Sequence, residues 1–259
     1  MRLSIIMTYY NRKKLLYRTL KSILKSKIDD IEVIIVDDGS DENQRIEEFK
    51  TQFSFLKIIR IEKFNKWYLN PCIPFNIGIK EAVGEIIVLQ NPECLHVHDV
   101  LSYINKTVTE RNYISISTYA ISKKMTEELD ELIINNKLLD KFGKLSQISI
   151  GKNSVFGWYN HNIFRPTYYH FCSALTKKNM DKLGGFDKRY ANGIAYDDME
   201  LVKRIEFLGL RKTISNDVSV LHQWHPKIYD NMINVIEKRK INRMLFDNVT
   251  CKDGKFKVN

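Results

Sequence analysis

Val33-Ile34-Ile35-Val36-Asp37-Asp38-Gly39-Ser40 is the stretch on which the fold turns. Apolar residues with no polar break read as a strand buried on both faces, as in a parallel sheet covered by helices. Leu3–Met7 is a second such run, and Leu15, Leu16, Leu20, Ile23 and Leu24 recur between them at helical spacing. The result is a right-handed β-α-β unit. Two carboxylates and a glycine turn then stand at the carboxyl end of a buried strand, where an open α/β sheet binds polar ligands. Adjacent anions in a partly dry cleft repel one another, so the pair calls for a function.

Working outward, the pattern predicts a polar helix over 41–53 and a strand over 56–61. A short helix carries Phe75, Ile79 and Ala82, and Glu85–Leu89 is a fourth strand. The first 95 residues therefore alternate strand and helix. Beyond them the reading predicts a helix near 98–110 and an alternating strand at Ile114, Ile116, Thr118 and Ala120. A charged helical stretch follows over 123–143, then a long loop over 144–166. Loops of that length inside compact domains usually carry function. Tyr168–Leu175 reads as a strand, 177–183 as a helix closed by Gly184-Gly185, and 198–208 as another helix. One or two strands over 213–221 and a basic helix over 227–247 complete the chain.

Composition excludes several classes. With 259 residues, 44% hydrophobic and 28% charged, the chain is that of a globular protein with a full core. No apolar run approaches the roughly 20 residues of a membrane span, and Met1–Met7 reads as a strand rather than a leader. Cys72, Cys94, Cys172 and Cys251 have no metal-type spacing, so reduced thiols and a cytoplasmic location are expected. A net charge of +10 fits a phosphate-bearing substrate, an anionic membrane surface or plain lysine enrichment. No nucleic-acid-binding motif accompanies it, so no nucleic-acid partner is expected.

Four clusters fall at strand or helix ends. Thr8, Tyr10, Asn11 and Arg12 follow the first strand, and Asp38 follows the second. Parallel strands put both tips on one edge, where a carboxylate and an aromatic ring suit a nucleobase; a bare turn and helix cap at Asp38–Asp41 is the plainer reading. Gln90–His98 offers Glu93, a hard oxygen ligand suited to Mg²⁺ or Mn²⁺ on a diphosphate. Tyr196-Asp197-Asp198-Met199-Glu200 opens a helix, where acids offset the dipole or act as a general base. His222-Gln223-Trp224-His225 ends the late strand, and His222 is a candidate to complete a metal site.

Taken in order, these residues resemble the family 2 glycosyltransferases. The pieces are Ile6–Arg12, Glu32–Ser40, Asn76-Ile77-Gly78-Ile79 with Ala82 and Gly84-Glu85, Gly184–Asp187, and Asp198–Leu201 with Arg204, Gly209 and His222. The resemblance implies an α/β fold of the GT-A type: a mostly parallel central sheet flanked by helices. It implies one domain over 1–225, with a nucleotide-binding half (1–95) and an acceptor half (96–225), followed by a basic helix and tail over 226–259. Thr8, Tyr10, Asn11, Arg12, Asp38, Asn76 and Asn91 would hold the nucleotide, and Glu93 and His222 a Mn²⁺ or Mg²⁺ ion. Asp198 would be the catalytic base, with Trp158, His161, Arg165 and Asp197 on the acceptor side.

The implied reaction moves a sugar, with inversion, from a nucleoside-diphosphate donor, UDP favoured, to a hydroxyl of a glycan, lipid-linked or protein acceptor. Peripheral contact with a membrane surface is part of that expectation. The family's Asp-x-Asp aligns with Asn91-Pro92-Glu93, which carries one formal charge fewer. That departure leaves a binding-only protein of the same fold as the alternative.

Overall fold

A computed structural model describes residues 1–144, 157–226, 233–252 and 255–258. The long loop expected over 144–166 and the start of the basic helix expected at 227 therefore fall partly outside the described residues. The first half follows the alternating pattern: β1 (Leu3–Tyr9), α1 (Lys13–Ile23), β2 (Ile31–Asp37), β3 (Leu56–Arg60), α2 (Cys72–Glu81) and β4 (Ile86–Gln90). Then come β5 (Cys94–His96), α3 (Val100–Thr107), β6 (Asn112–Ala120), and the short helices α4 (Lys123–Glu127), α5 (Leu129–Ile134) and α6 (Leu138–Phe142). The chain continues through β7 (Trp158–Asn160), β8 (Cys172–Thr176), α7 (Lys177–Leu183), α8 (Asp197–Phe207) and β9 (Arg211–His222). It ends in α9 (Val235–Asp247), β10 (Val249–Lys252) and β11 (Lys255–Val258).

Nine strands form one sheet in the order β3-β2-β1-β4-β8-β6-β9-β5, with β7 paired to β6. From β3 to β4 every pairing is parallel. Beyond β4 the sheet is mixed: β8 runs antiparallel to β4 and β6, β9 parallel to β6, and β5 antiparallel to β9. The parallel strands are the continuous apolar runs, and they are buried on both faces. Leu3, Ile5, Met7, Val33 and Ile35 point into one layer with α1 and α3. Ile6, Ile34, Val36, Ile87 and Leu89 point into the other with α2, α7 and α8.

Several expectations are corrected. The helix expected over 41–53 is two 3-10 turns, Glu42–Gln44 and Glu47–Thr51, and Ile46, Phe49 and Phe53 plug the first core layer. The charged stretch 123–143 breaks into three helices, and the strand expected from Tyr168 begins at Cys172, because Tyr168 has a positive φ of 61°. The β10–β11 hairpin replaces the expected tail. Helix α9 is anchored by the fully buried Asn242, whose amide donates to the Tyr190 and Ala195 carbonyls. Cys72, Cys94 and Cys172 are buried free thiols. Among the described residues, no helix is long and apolar enough to cross a membrane.

Candidate active site

The site lies where the parallel tips of β1, β2 and β4 meet the end of β9. Tyr9 and Asp37 are in register, so Tyr10 and Asp38 leave adjacent strands side by side. The acidic pair then divides. Asp37 is fully buried, bonded to the Arg60 guanidinium (2.6 Å) and the Ser40 amide (2.9 Å). Asp38 is partly exposed and accepts from Tyr68 Oη (2.6 Å) and Lys66 Nζ (2.5 Å). Lys66 also lies over the Tyr10 ring, 5.1 Å from its centroid. The repulsion expected between the two carboxylates is therefore met by a separate cation for each. Sequence reading missed Lys66 and Tyr68, which sit in an irregular segment with no periodic signal.

Thr8 and Tyr10 are partly exposed at this edge. Asn11, expected to bind nucleotide, clasps a loop: at φ 50° its amide group donates to the Asp41 carboxylate and accepts from the Asp41 backbone (2.7 and 2.9 Å). Asn76, also expected to bind nucleotide, holds a turn. It donates to the Phe186 carbonyl (2.8 Å) and accepts from the Phe186 amide (2.7 Å), so both ends tether the Gly185-Phe186 turn.

Strand β5, unseen in the sequence, builds the centre of the site. Its antiparallel pairing with β9 sets Cys94 opposite His222, and the Gln223 amide donates to the Glu93 carbonyl (3.1 Å). The buried Gln223 side chain also donates to the Leu15 and Glu93 carbonyls, holding the chain after β9 against the first loop. Glu93 and His222 are brought together by this frame. Glu93 Oε1 lies 3.2 Å from His222 Nε2 and 3.4 Å from His225 Nε2, while Oε2 accepts from Arg12 Nη1 at 2.8 Å. Asn91 Nδ2 approaches Oε1 at 3.4 Å. Burial alone would push the Glu93 carboxyl up. The Arg12 guanidinium and the two histidines outweigh it and hold the group well below the usual carboxylate range.

The donor atoms of Glu93, His222 and His225 lie within 4.8 Å of one another, a set able to hold a metal ion. His225 was noticed in the sequence but given no role. Beside this cluster opens a cleft of about 530 Å³ lined by Tyr10, Arg12, Gln44, Trp224 and His225 among others.

Asp198 is placed by other elements. It opens α8 behind Ala195 and Tyr196, both non-glycine residues at positive φ (61° and 69°). Two such residues in succession are costly and mark a turn held for a purpose. The Asn242 bond to Ala195 braces it. Burial first, and then the neighbouring Asp197 carboxylate, push the Asp198 carboxyl up. Asp197, expected on the acceptor side, is buried and accepts from Asn70 Nδ2 (2.8 Å). Asp198 acts electrostatically on Tyr169 and Tyr113. A run of rings leads from Tyr169 to the late histidine, with Tyr169 against Phe171 (6.4 Å) and Phe171 against His222 (5.8 Å).

Two of the residues expected on the acceptor side are buried. Pairing of β7 with β6 buries Trp158 in a small core with Leu95, Leu129 and Leu221. His161 is buried as well, and its Nδ1 accepts from the Ile163 and Phe164 amides. Arg165 stays exposed, with its guanidinium 5.6 Å over the Tyr159 ring. Tyr159 in turn packs on His222 (4.9 Å).

The model of the glycosyl transferase family 2 matches residues 4–170. The chain belongs to this family. It is 27% identical over 212 residues to the chondroitin synthase of Escherichia coli, covering 73% of this chain and 30% of that protein. The fold is GT-A. Among solved structures it is similar to Staphylococcus aureus TarS residues 1–349 in complex with UDP-GlcNAc. The TM-score is 0.61 at 15% identity, over 92% of this chain and 64% of that one. It is also similar to the mannosyltransferase PcManGT from Pyrobaculum calidifontis in complex with GDP-Man and Mn²⁺. There the TM-score is 0.59 at 17% identity, over 88% and 58% of the two chains. This family 2 chain thus spans less than two thirds of the length of each of the three proteins.

Proposed function

We propose that this chain transfers a sugar from a nucleoside-diphosphate donor, a uridine nucleotide favoured, to an acceptor hydroxyl with inversion at the anomeric carbon. The observation that carries the reading is the meeting of Glu93 with His222 beside a cleft lined by Tyr10 and Arg12. Tyr10 stacks on the base, Asp38 accepts from its N–H, and Thr8 and Asn91 complete the nucleotide contacts. Arg12 orients Glu93 and adds positive charge on the phosphate side. Glu93 and His222 would hold a divalent cation, Mn²⁺ or Mg²⁺, which would supply positive charge for the departing diphosphate.

Asp198 takes the proton of the attacking hydroxyl, its raised proton affinity suiting a general base near neutral pH. The half-buried Tyr159 and the exposed Arg165 over its ring form an aromatic and cationic surface next to His222, suited to contacting a sugar ring of the acceptor. The assembled Glu93-His222 pair favours catalysis over the binding-only reading raised by Asn91.

Donor turnover tests the proposal. UDP release from a panel of UDP-sugars should stop in EDTA and return with excess Mn²⁺. Release that persists unchanged in chelator, or no release from any nucleotide sugar under either condition, contradicts it.

A further inference from the structure

We infer that Arg165 selects an anionic acceptor, its guanidinium pairing with a carboxylate or phosphate group carried by the acceptor glycan. The inference rests on the acceptor surface proposed above and adds the class of substrate that surface takes.

Arg165 is a cation without a counter-ion. Arg12, Arg60 and Arg189 each hold a carboxylate oxygen close by (2.8, 2.6 and 2.5 Å). Arg165 is exposed, and among the described residues no carboxylate pairs with it. Its guanidinium contacts are the Trp158 carbonyl, 3.4 Å from Nη1, and the face of the Tyr159 ring.

Nor is the side chain loosely held. Two backbone hydrogen bonds exchanged with His161 (2.9 and 3.1 Å) close the turn that carries Arg165 back along the chain. The guanidinium lies 5.6 Å over the Tyr159 ring, and Tyr159 is itself packed against Phe171 (5.3 Å) and His222 (4.9 Å). A guanidinium stacked on a ring keeps its edge free. That edge is a planar fork of N–H donors matching two oxygens of a carboxylate or a phosphate.

Position assigns the anion to the acceptor. Arg165 stands one ring away from His222, so a guanidinium without a counter-ion adds positive charge beside the proposed cation site. An anionic ligand relieves that repulsion. The donor's diphosphate is the rival source, but Arg165 is not among the residues lining the cleft of Tyr10, Arg12, Gln44, Trp224 and His225. Its electrostatic reach runs toward the base instead. Burial pushes the Tyr169 phenol up, Asp198 adds to that shift, and Arg165 opposes it. Both charges thus act on one side chain, and an acceptor whose hydroxyl meets Asp198 can bring its anion to Arg165.

Calorimetry on the full chain in saturating UDP and Mg²⁺ tests this with two matched pairs of probes. One is an oligoglucuronate and its carboxyl-reduced, neutral form; the other is a glycerol-phosphate oligomer and glycerol. Wild type should bind at least one anionic probe ~10-fold or more tightly than its neutral counterpart, and the pair that responds separates carboxylate from phosphate. Arg165→Gln should abolish the preference, and Arg165→Lys should restore only part of it, because an ammonium lacks the fork. Arg211→Gln, at the far end of β9 from His222, should keep it, which separates the site from general attraction to a basic chain. UDP affinity should be unchanged in every variant. No preference for either anion in wild type, or a preference that survives Arg165→Gln or is lost in Arg211→Gln, overturns the inference. Weakened UDP binding in Arg165→Gln also overturns it, by giving the guanidinium to the donor diphosphate. Failure of wild type to bind UDP would instead overturn the nucleotide-sugar reading beneath it.

Discussion

Asp198→Asn is expected to lower kcat by about 10²–10⁴-fold while leaving UDP affinity within about twofold of wild type. The asparagine keeps the shape and the position at the start of α8 but cannot take a proton. Asp198 is not among the residues proposed to hold the donor, so donor binding should not feel the change. The same group predicts a pH dependence. Burial and the adjacent Asp197 push the Asp198 carboxyl up to about 7. A general base works only when ionised, so kcat should rise with pH through that range and level off above it. The rising limb should vanish in whatever activity the Asn variant retains. A variant with full turnover, or an unaltered profile, removes Asp198 from the base role.

The second large effect separates the two aspartates that ended β2. Arg60→Met is expected to cost about 3–5 kcal/mol of stability, because it leaves the fully buried Asp37 carboxylate without its guanidinium. Asp38→Asn should behave oppositely. Its carboxylate is partly exposed and is held by Lys66 and Tyr68, so the fold should survive while uridine-nucleotide affinity falls ~10-fold or more. Urea midpoints and nucleotide titrations on both variants check the division. Equal stability losses, or a nucleotide defect confined to Arg60→Met, would assign the aspartates the wrong way round.

What the sequence made legible follows the strength of local signals. Runs such as Ile31–Asp37 and Ile86–Gln90 announce buried strands because burial on both faces demands unbroken apolar residues. Strand β5 stayed hidden because Cys94-Leu95-His96 is too short for any period, and only its partner β9 defines it. The helix expected over 41–53 does not form although Ile46, Phe49 and Phe53 recur at helical spacing and all three are buried in the core; only Phe49 lies within a 3-10 turn. Trp158 fell within the long loop expected over 144–166, yet it lies on β7, whose pairing with β6 buries it. His225 gained its place from Gln223, which bonds to residues far away in the chain. Asn11 and Asn76 matched the family's pattern, but the structure uses both amides to tie loops.

Glu93 and His222 are proposed to share one cation beside the tips of β1 and β2, with the donor's diphosphate on it. A crystal soaked with UDP and Mn²⁺, with anomalous data collected at the manganese edge, is the decisive test. A single strong peak is expected against Glu93 Oε1 and His222 Nε2, with uracil between Tyr10 and Asp38. A peak elsewhere, or a nucleotide seated away from Tyr10, would contradict it.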